Sequence, residues 1–201
     1  MERIRSFVAI ELSDQIREQL GETQALLKSE GIADQIRWVR PEGIHLTLKF
    51  LGDVPVDKVK EIVVAIRQAS EGVGSFSVSF AGLGCFPRVS RPNVVWIGVL
   101  GDTEELTHLQ ARIEDNLAVL GFPPEKRKYT PHLTLGRVRK HISRQERGRL
   151  GGMIQTQIIG TLGEMEVHEV SLMNSVLSPA GAKYSRLGVV ELGDNDRRSH
   201  R

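Results

Sequence analysis

Two short segments of the sequence contain the same four residues, His-Leu-Thr-Leu, at positions 45–48 and 132–135. A neutral imidazole can accept a proton and an imidazolium can donate one. The threonine hydroxyl two residues further on can donate a hydrogen bond to a phosphate oxygen. Two such His–Thr pairs in one site predict acid–base chemistry at phosphorus. One histidine would activate water, the other would protonate the leaving oxygen, and no metal ion is required.

The two segments read as strands whose side chains alternate between faces. The leucines then share one face and the His–Thr pairs the other. We expect the leucines in the core under helices and the His–Thr pairs on the open faces of two sheets that meet at a cleft. The same alternation predicts that Phe50 lies on the leucine face and Lys49 on the His45 face, either at the cleft rim or in solvent.

The repetition matters more than either copy alone. A single histidine in a strand is more often a surface or core residue, and one His-x-Thr triplet carries little information. Two copies, each with its leucines in core phase, favour a functional role for both His–Thr pairs.

The rest of the chain alternates strand-like and helix-like segments. Because strand-like segments occur in adjacent pairs, the pattern indicates an α+β fold with antiparallel sheets. The repeated motif, with Trp38 upstream of the first copy and Tyr129 upstream of the second, predicts two similar lobes, each with helices on one face of its sheet. We predict one domain over residues 1–192 and a flexible polar tail over 193–201. The predicted helices span 14–30, 56–70, 103–120 and 143–150, and the predicted strands span 4–12, 36–39, 44–52, 76–86, 93–101, 131–139, 164–177 and 184–192.

Composition narrows the class of protein. No apolar run approaches the roughly 18–20 residues of a membrane span, and the apolar run near the N-terminus covers only residues 7–10, so we predict no signal peptide. Cys85 is the single cysteine and cannot form an internal disulfide, which favours a reducing, cytoplasmic location. No CxxC or HExxH motif is present, and we expect no metal and no cofactor.

Positive charge is concentrated around the second motif. Residues 125–149 contain nine Lys and Arg against two Glu. Such a segment suits a polyanionic partner, although charge alone fits a solvated surface equally well.

At these motifs the sequence resembles the 2H phosphoesterase superfamily, which is named for two HxTx motifs. The segments "RSFVAIEL", "HLTLKFLG" and "PHLTLGR" are similar to its RNA 2',3'-cyclic phosphodiesterase branch, also called 2'-5' RNA ligase-like, over roughly residues 3–191. The resemblance implies a bilobal, pseudo-two-fold duplicated fold in which two antiparallel sheets face a central cleft and helices cover their outer faces. It implies an active site in that cleft and metal-independent hydrolysis of a terminal RNA 2',3'-cyclic phosphate to a 2'-phosphomonoester. The implied partner is RNA with that end, tRNA fragments being one candidate, and a monomer suffices.

The resemblance also assigns roles to individual residues. His45 would be the proton donor and His132 the proton acceptor, although the residues alone do not order these roles because the two motifs are nearly equivalent. Thr47 and Thr134 would bind the phosphate. Arg137 matches a basic position after the second motif, but strict alternation points it to the leucine side unless Gly136 permits a bulge that re-aims it.

Aromatic residues near the motifs could stack a terminal base. The candidates are Phe7, Trp38 and Tyr129, and core packing is the competing role for each.

Three alternatives stay open. The same site could join RNA ends through a 2'-5' linkage, or act on 2'-5' oligonucleotides or small cyclic nucleotides. The chain could instead be a non-catalytic RNA-binding module that uses its basic segment, but such a module would have no need for both His–Thr pairs.

Overall fold

The strand-like segments form two antiparallel sheets in a computed structural model that describes residues 2–178 and 181–193. A four-stranded sheet has the order β3-β1-β8-β9 and a five-stranded sheet the order β2-β6-β5-β4-β7. The first motif leads into β3 and the second lies in β6, so each sheet carries one motif. The strands are β1 Arg3–Ile10, β2 Ile36–Trp38, β3 Leu46–Pro55, β4 Phe76–Phe86, β5 Val94–Gly101, β6 His132–Val138, β7 Thr161–Val167, β8 Glu169–Ser178 and β9 Gly181–Glu191.

In the described part of the chain, four α-helices cover the outer faces of the sheets. Helices α2 and α3 pack against the four-stranded sheet, and α1 and α4 against the five-stranded sheet. Ser13 is the N-cap residue of α1 and Asp102 that of α3. Helix α1 ends at Leu27, three residues before its predicted end. The predicted α+β fold with two lobes is confirmed. The helices are α1 Asp14–Leu27, α2 Val59–Ser70, α3 Thr103–Val119 and α4 Arg144–Thr156.

The chain passes from one sheet to the other at His168. Our predicted single strand over 164–177 is wrong, because β7 ends at Val167 and pairs with β4, whereas β8 begins at Glu169 and pairs with β1. No glycine or proline marks this crossing. Of the predicted tail, Gly193 makes a bridge to Gly74, and residues 194–201 lie outside the described part of the chain.

Both motif strands contain a β-bulge at the same place. On β3, Thr47 pairs with Ala9 but Lys49 pairs with Val8, so Leu48 is the extra residue. On β6, Thr134 pairs with Trp96 but Gly136 pairs with Val95, which makes Leu135 the extra residue. A bulge reverses the alternation of the residues that follow it, up to the next bulge. On β3 the next bulge is at Leu51.

The bulges correct two predictions about the first motif. Phe50 is 63% exposed and lies on the open face, not on the leucine face. Lys49 is only 3% exposed, and its ammonium group donates hydrogen bonds to Glu114 of α3 and to the carbonyl of Pro123 at 2.9 Å. Lys49 therefore lies neither at the cleft rim nor in solvent.

A buried glutamine binds each bulge from the helix layer. Gln110 of α3 donates to the carbonyl of Leu48 at 3.3 Å. Gln24 of α1 donates to the carbonyl of Leu135 at 3.0 Å. A buried carbonyl needs a donor. The carbonyl of Leu135 also accepts from the main-chain N–H of Val39 at 2.9 Å, so Gln24 is its second donor.

Candidate active site

The two motif histidines have the same local geometry. Nδ1 of His45 lies 3.1 Å from the carbonyl oxygen of Gly43, and Nδ1 of His132 lies 2.8 Å from that of Thr130. A carbonyl oxygen only accepts, so Nδ1 carries the proton in each ring. Nε2 of each histidine is therefore the atom free to exchange a proton with a substrate.

Aromatic rings surround each histidine on the open face of its sheet. The ring of His45 lies 4.9 Å from Tyr184 and 5.6 Å from Phe7, measured between centroids. The ring of His132 lies 4.9 Å from Phe86 and 6.3 Å from Trp96. This burial lowers the pKa of both histidines, because removal from water disfavours the imidazolium.

Charged neighbours distinguish the two histidines. Burial is the largest influence on the pKa of His45 and lowers it. The hydrogen bond to Gly43 and the carboxylate of Glu11 raise this pKa, and the positive charge of Arg17 lowers it. At His132 the corresponding charged neighbour is Arg137, whose positive charge lowers the pKa further. The local charge therefore favours imidazolium at His45 relative to His132.

Glu11 is fixed in its ionised form. Its side chain accepts a hydrogen bond from the hydroxyl of Ser171 at 2.7 Å and forms an ion pair with Arg186. Arg186 also forms an ion pair with Glu169 at 2.9 Å. Burial alone would raise the pKa of Glu11, but these hydrogen bonds and the Arg186 charge lower it. Glu11 follows Ile10, the residue of β1 that pairs with Leu46, and so reaches the strand position beside His45.

Thr47 and Thr134 are half-buried on the open faces of β3 and β6. Within residues 2–178 and 181–193, neither hydroxyl has a hydrogen-bond partner. The main chain of Thr47 is tied to the other motif, because the hydroxyl of Tyr129 donates to its carbonyl at 3.2 Å. Both threonine hydroxyls are thus free to bind a ligand.

Arg137 lies on the same face as His132 and Thr134. The bulge at Leu135 reverses the phase, so Gly136 and Val138 are buried and Arg137 is exposed. Its charge also acts on Tyr184 of the other sheet, whose pKa it lowers against a larger rise caused by burial. Arg137 therefore faces the cleft.

Our three stacking candidates do not offer an exposed ring. Phe7 is 5% exposed and packs behind His45. Trp38 lies on the same, core-facing side of β2 as Ile36, and its ring contacts the core. Its Nε1–H donates to the carbonyl of Ala33 at 3.1 Å. Tyr129 packs against the core, and burial raises the pKa of its hydroxyl.

Several residues that line the cleft were not predicted from the sequence. Glu11 is in phase with Ala9, the partner of Thr47, so extending the alternation of β1 could have identified it. Tyr184 and Phe86 have no comparable signal, because they lie beside the histidines only through the pairing of distant strands.

Over the described ranges, no group of three or more His, Cys, Asp or Glu side chains is arranged to hold a metal ion. Over the same ranges, no helix is both long and apolar enough to cross a membrane.

The sequence matches the model of one protein family twice. The family is described as LigT like phosphoesterase, and the matches cover residues 10–96 and 99–184. Each match contains one of the two motifs.

Proteins with assigned names are similar over nearly the whole chain. One from Methanothermobacter thermautotrophicus is 37% identical and one from Archaeoglobus fulgidus 35% identical, and both are named RNA 2',3'-cyclic phosphodiesterase. Each alignment covers 94% of this chain and 100% of the relative. The crystal structure of E. coli LigT complexed with 3'-AMP superposes with a TM-score of 0.76 at 25% identity, covering 95% of this chain and 99% of that one.

Proposed function

This chain belongs to the LigT-like phosphoesterase family, and on that premise we propose that it hydrolyses RNA 2',3'-cyclic phosphate ends to 2'-phosphomonoesters. The observation that carries the proposal is the pairing of two His–Thr units with equal local geometry and opposite charged neighbours. Nδ1 of each histidine is hydrogen-bonded to the main-chain carbonyl two residues before it. The name shared by the curated relatives supports the choice of substrate.

The reaction is an attack of water on phosphorus. Nε2 of His132 takes a proton from the water as its oxygen bonds to phosphorus. The bond from phosphorus to O3' breaks, and Nε2–H of His45 protonates the leaving O3'. The products are a 2'-phosphomonoester and a free 3'-hydroxyl, with the proton moved from His45 to His132; exchange with solvent resets both rings.

Charge develops on the non-bridging oxygens during this step. The hydroxyls of Thr47 and Thr134 supply hydrogen bonds to those oxygens from opposite sides of the cleft. Arg137 supplies a positive charge on the His132 side. Donors fixed in place before the reaction cost no reorganisation when the charge appears.

The charged neighbours support the order of roles that motif symmetry leaves open. The carboxylate of Glu11 favours the protonated form of His45, as a general acid requires. The guanidinium of Arg137 favours the neutral form of His132, as a general base requires.

The decisive experiment gives the protein a short RNA with a 2',3'-cyclic phosphate end, in the presence of EDTA, and identifies the product by mass spectrometry and phosphatase-coupled chromatography. We expect a 2'-phosphate. A 3'-phosphate would make O2' the leaving atom and require a new assignment of the histidines. A ligated product would favour the 2'-5' ligase alternative, and RNA binding without any turnover would favour the non-catalytic module.

A further inference from the structure

Two arginines lie directly opposite each other on the edge of the five-stranded sheet. Arg37 of β2 pairs with Arg137 of β6 in the antiparallel ladder. The flanking pair, Ile36 and Val138, is buried, so both arginines point to the opposite, open face, where both are exposed. This face carries His132 and Thr134.

The pair is electrostatically unfavourable in the free protein. Like charges directly opposite each other in a sheet are destabilising. Within the described ranges, the side chain of neither Arg37 nor Arg137 has an ion-pair or hydrogen-bond partner. An anion bound between them would remove the repulsion and gain hydrogen bonds in the fork geometry that guanidinium groups offer to phosphate.

The position of Arg37 separates it from the reacting phosphate. Arg137 is on the motif strand itself, whereas Arg37 lies one strand further toward the sheet edge, a spacing of about 4.8 Å. The His–Thr pair of β6 lies toward β5, since His132 pairs with Gly98 and Thr134 with Trp96. Arg37 thus extends the positive charge away from the histidines, along the open face.

We propose that Arg37 is the binding residue for the phosphodiester immediately upstream of the terminal nucleotide, next to Arg137. This inference rests on the proposed function and adds a second phosphate subsite to it. A substrate with an internucleotide phosphodiester occupies both subsites, whereas a 2',3'-cyclic mononucleotide occupies only the first. Arg37 then determines a preference for RNA ends over free cyclic nucleotides.

The test compares two substrates that differ by one phosphodiester, adenosine 2',3'-cyclic phosphate and the dinucleotide ApA with a 2',3'-cyclic end. We expect Arg37→Ala to lower kcat/KM for the dinucleotide about fivefold to tenfold, mainly through KM, and to leave the mononucleotide within about twofold. The slope of log kcat/KM against log salt for the dinucleotide should flatten by about 0.7, the single-strand value for one lost phosphate contact. Arg37→Lys keeps a positive charge and should retain part of the wild-type kcat/KM for the dinucleotide.

Arg67→Ala is the matched control, because Arg67 is an exposed arginine on α2, on the helix side of the other sheet. It should change neither substrate. An equal loss on both substrates after Arg37→Ala, or no loss on either, overturns the proposed subsite. If the wild-type protein hydrolyses neither substrate, the proposed function fails, and the subsite is then decided by titration calorimetry: ApA with a 2'-phosphate must bind more tightly than 2'-AMP, and Arg37→Ala must remove that difference.

Discussion

The hydroxyl of Tyr129 donates a hydrogen bond to the main-chain carbonyl of Thr47 at 3.2 Å, across the boundary between the two lobes. Tyr129 precedes the second motif by three residues, and Thr47 belongs to the first. Burial raises the pKa of the Tyr129 hydroxyl, so it stays a donor at pH values where an exposed tyrosine begins to ionise. The bond therefore couples the position of one His–Thr pair to the segment that carries the other.

Replacing Tyr129 by Phe removes this bond and retains the ring. We expect the free energy of unfolding to fall by about 1 kcal/mol and kcat to fall roughly fivefold, the equivalent of that energy in the transition state, while KM changes little. Urea denaturation and steady-state kinetics measure the two effects. A variant that loses stability but keeps the wild-type kcat would show that the bond serves the fold alone.

Replacing either motif histidine by Ala should abolish most activity. General acid or base catalysis contributes roughly 10²- to 10⁴-fold, so we expect His45→Ala and His132→Ala each to lower kcat by that range. His108→Ala, an exposed histidine on α3, should keep the wild-type rate. Near-normal activity in both single motif variants would eliminate the two-histidine mechanism.

The threonine hydroxyls can be removed without changing side-chain shape. Thr47→Val and Thr134→Val should each lower kcat by about 10²-fold, the typical loss of one donor to a developing oxyanion. Thr47→Ser and Thr134→Ser keep the hydroxyl and should retain most of the rate. Val variants as fast as the wild type would show that the hydroxyls do not contribute to the rate.

The two charged neighbours, Glu11 and Arg137, should each affect a different limb of the pH–rate profile. Activity requires protonated His45, so the rate falls as the pH rises through the pKa of His45. Activity also requires neutral His132, so the rate falls as the pH drops through the pKa of His132. Glu11→Gln removes the charge that supports the imidazolium of His45, so the alkaline limb should move to lower pH. Arg137→Ala removes a charge that opposes the imidazolium of His132, so the acidic limb should move to higher pH.

These shifts are read from the logarithm of kcat/KM against pH at constant ionic strength. The other groups acting on His45 are Arg17 and Gly43, which both variants leave in place. Movement of the acidic limb in Glu11→Gln, or of the alkaline limb in Arg137→Ala, would exchange the acid and base roles.

The buried ion pair of Lys49 and Glu114 should dominate the stability of the first motif. Their side chains are 2% and 9% exposed. Lys49→Met leaves the carboxylate of Glu114 without its counter-charge, and we expect a loss of about 3–5 kcal/mol in urea denaturation. The double variant Lys49→Met, Glu114→Gln removes both charges and should recover part of that loss; no recovery would mean that the packing of Lys49, rather than its charge, stabilises the fold.

Much of the fold could be predicted from periodicity alone. The apolar stripe of α2 and the paired strands β4 and β5 are local patterns, because period and neighbouring turn residues are properties of adjacent positions. The duplicated His-Leu-Thr-Leu segments likewise identified the histidines and threonines, because the phase of the leucines places them on the open face. Those features depend on side-chain chemistry within a few residues of the chain.

The sequence by itself determined which groups could react, and the tertiary structure decided which side of the sheet the neighbouring groups face. Alternation placed Lys49 toward the cleft and Arg137 away from it. The bulges at Leu48 and Leu135 reverse both positions. Side-chain donors from distant parts of the chain bond the carbonyls at these bulges. Gln110 and Gln24 supply those donors from other elements of the fold, so no local pattern could reveal them.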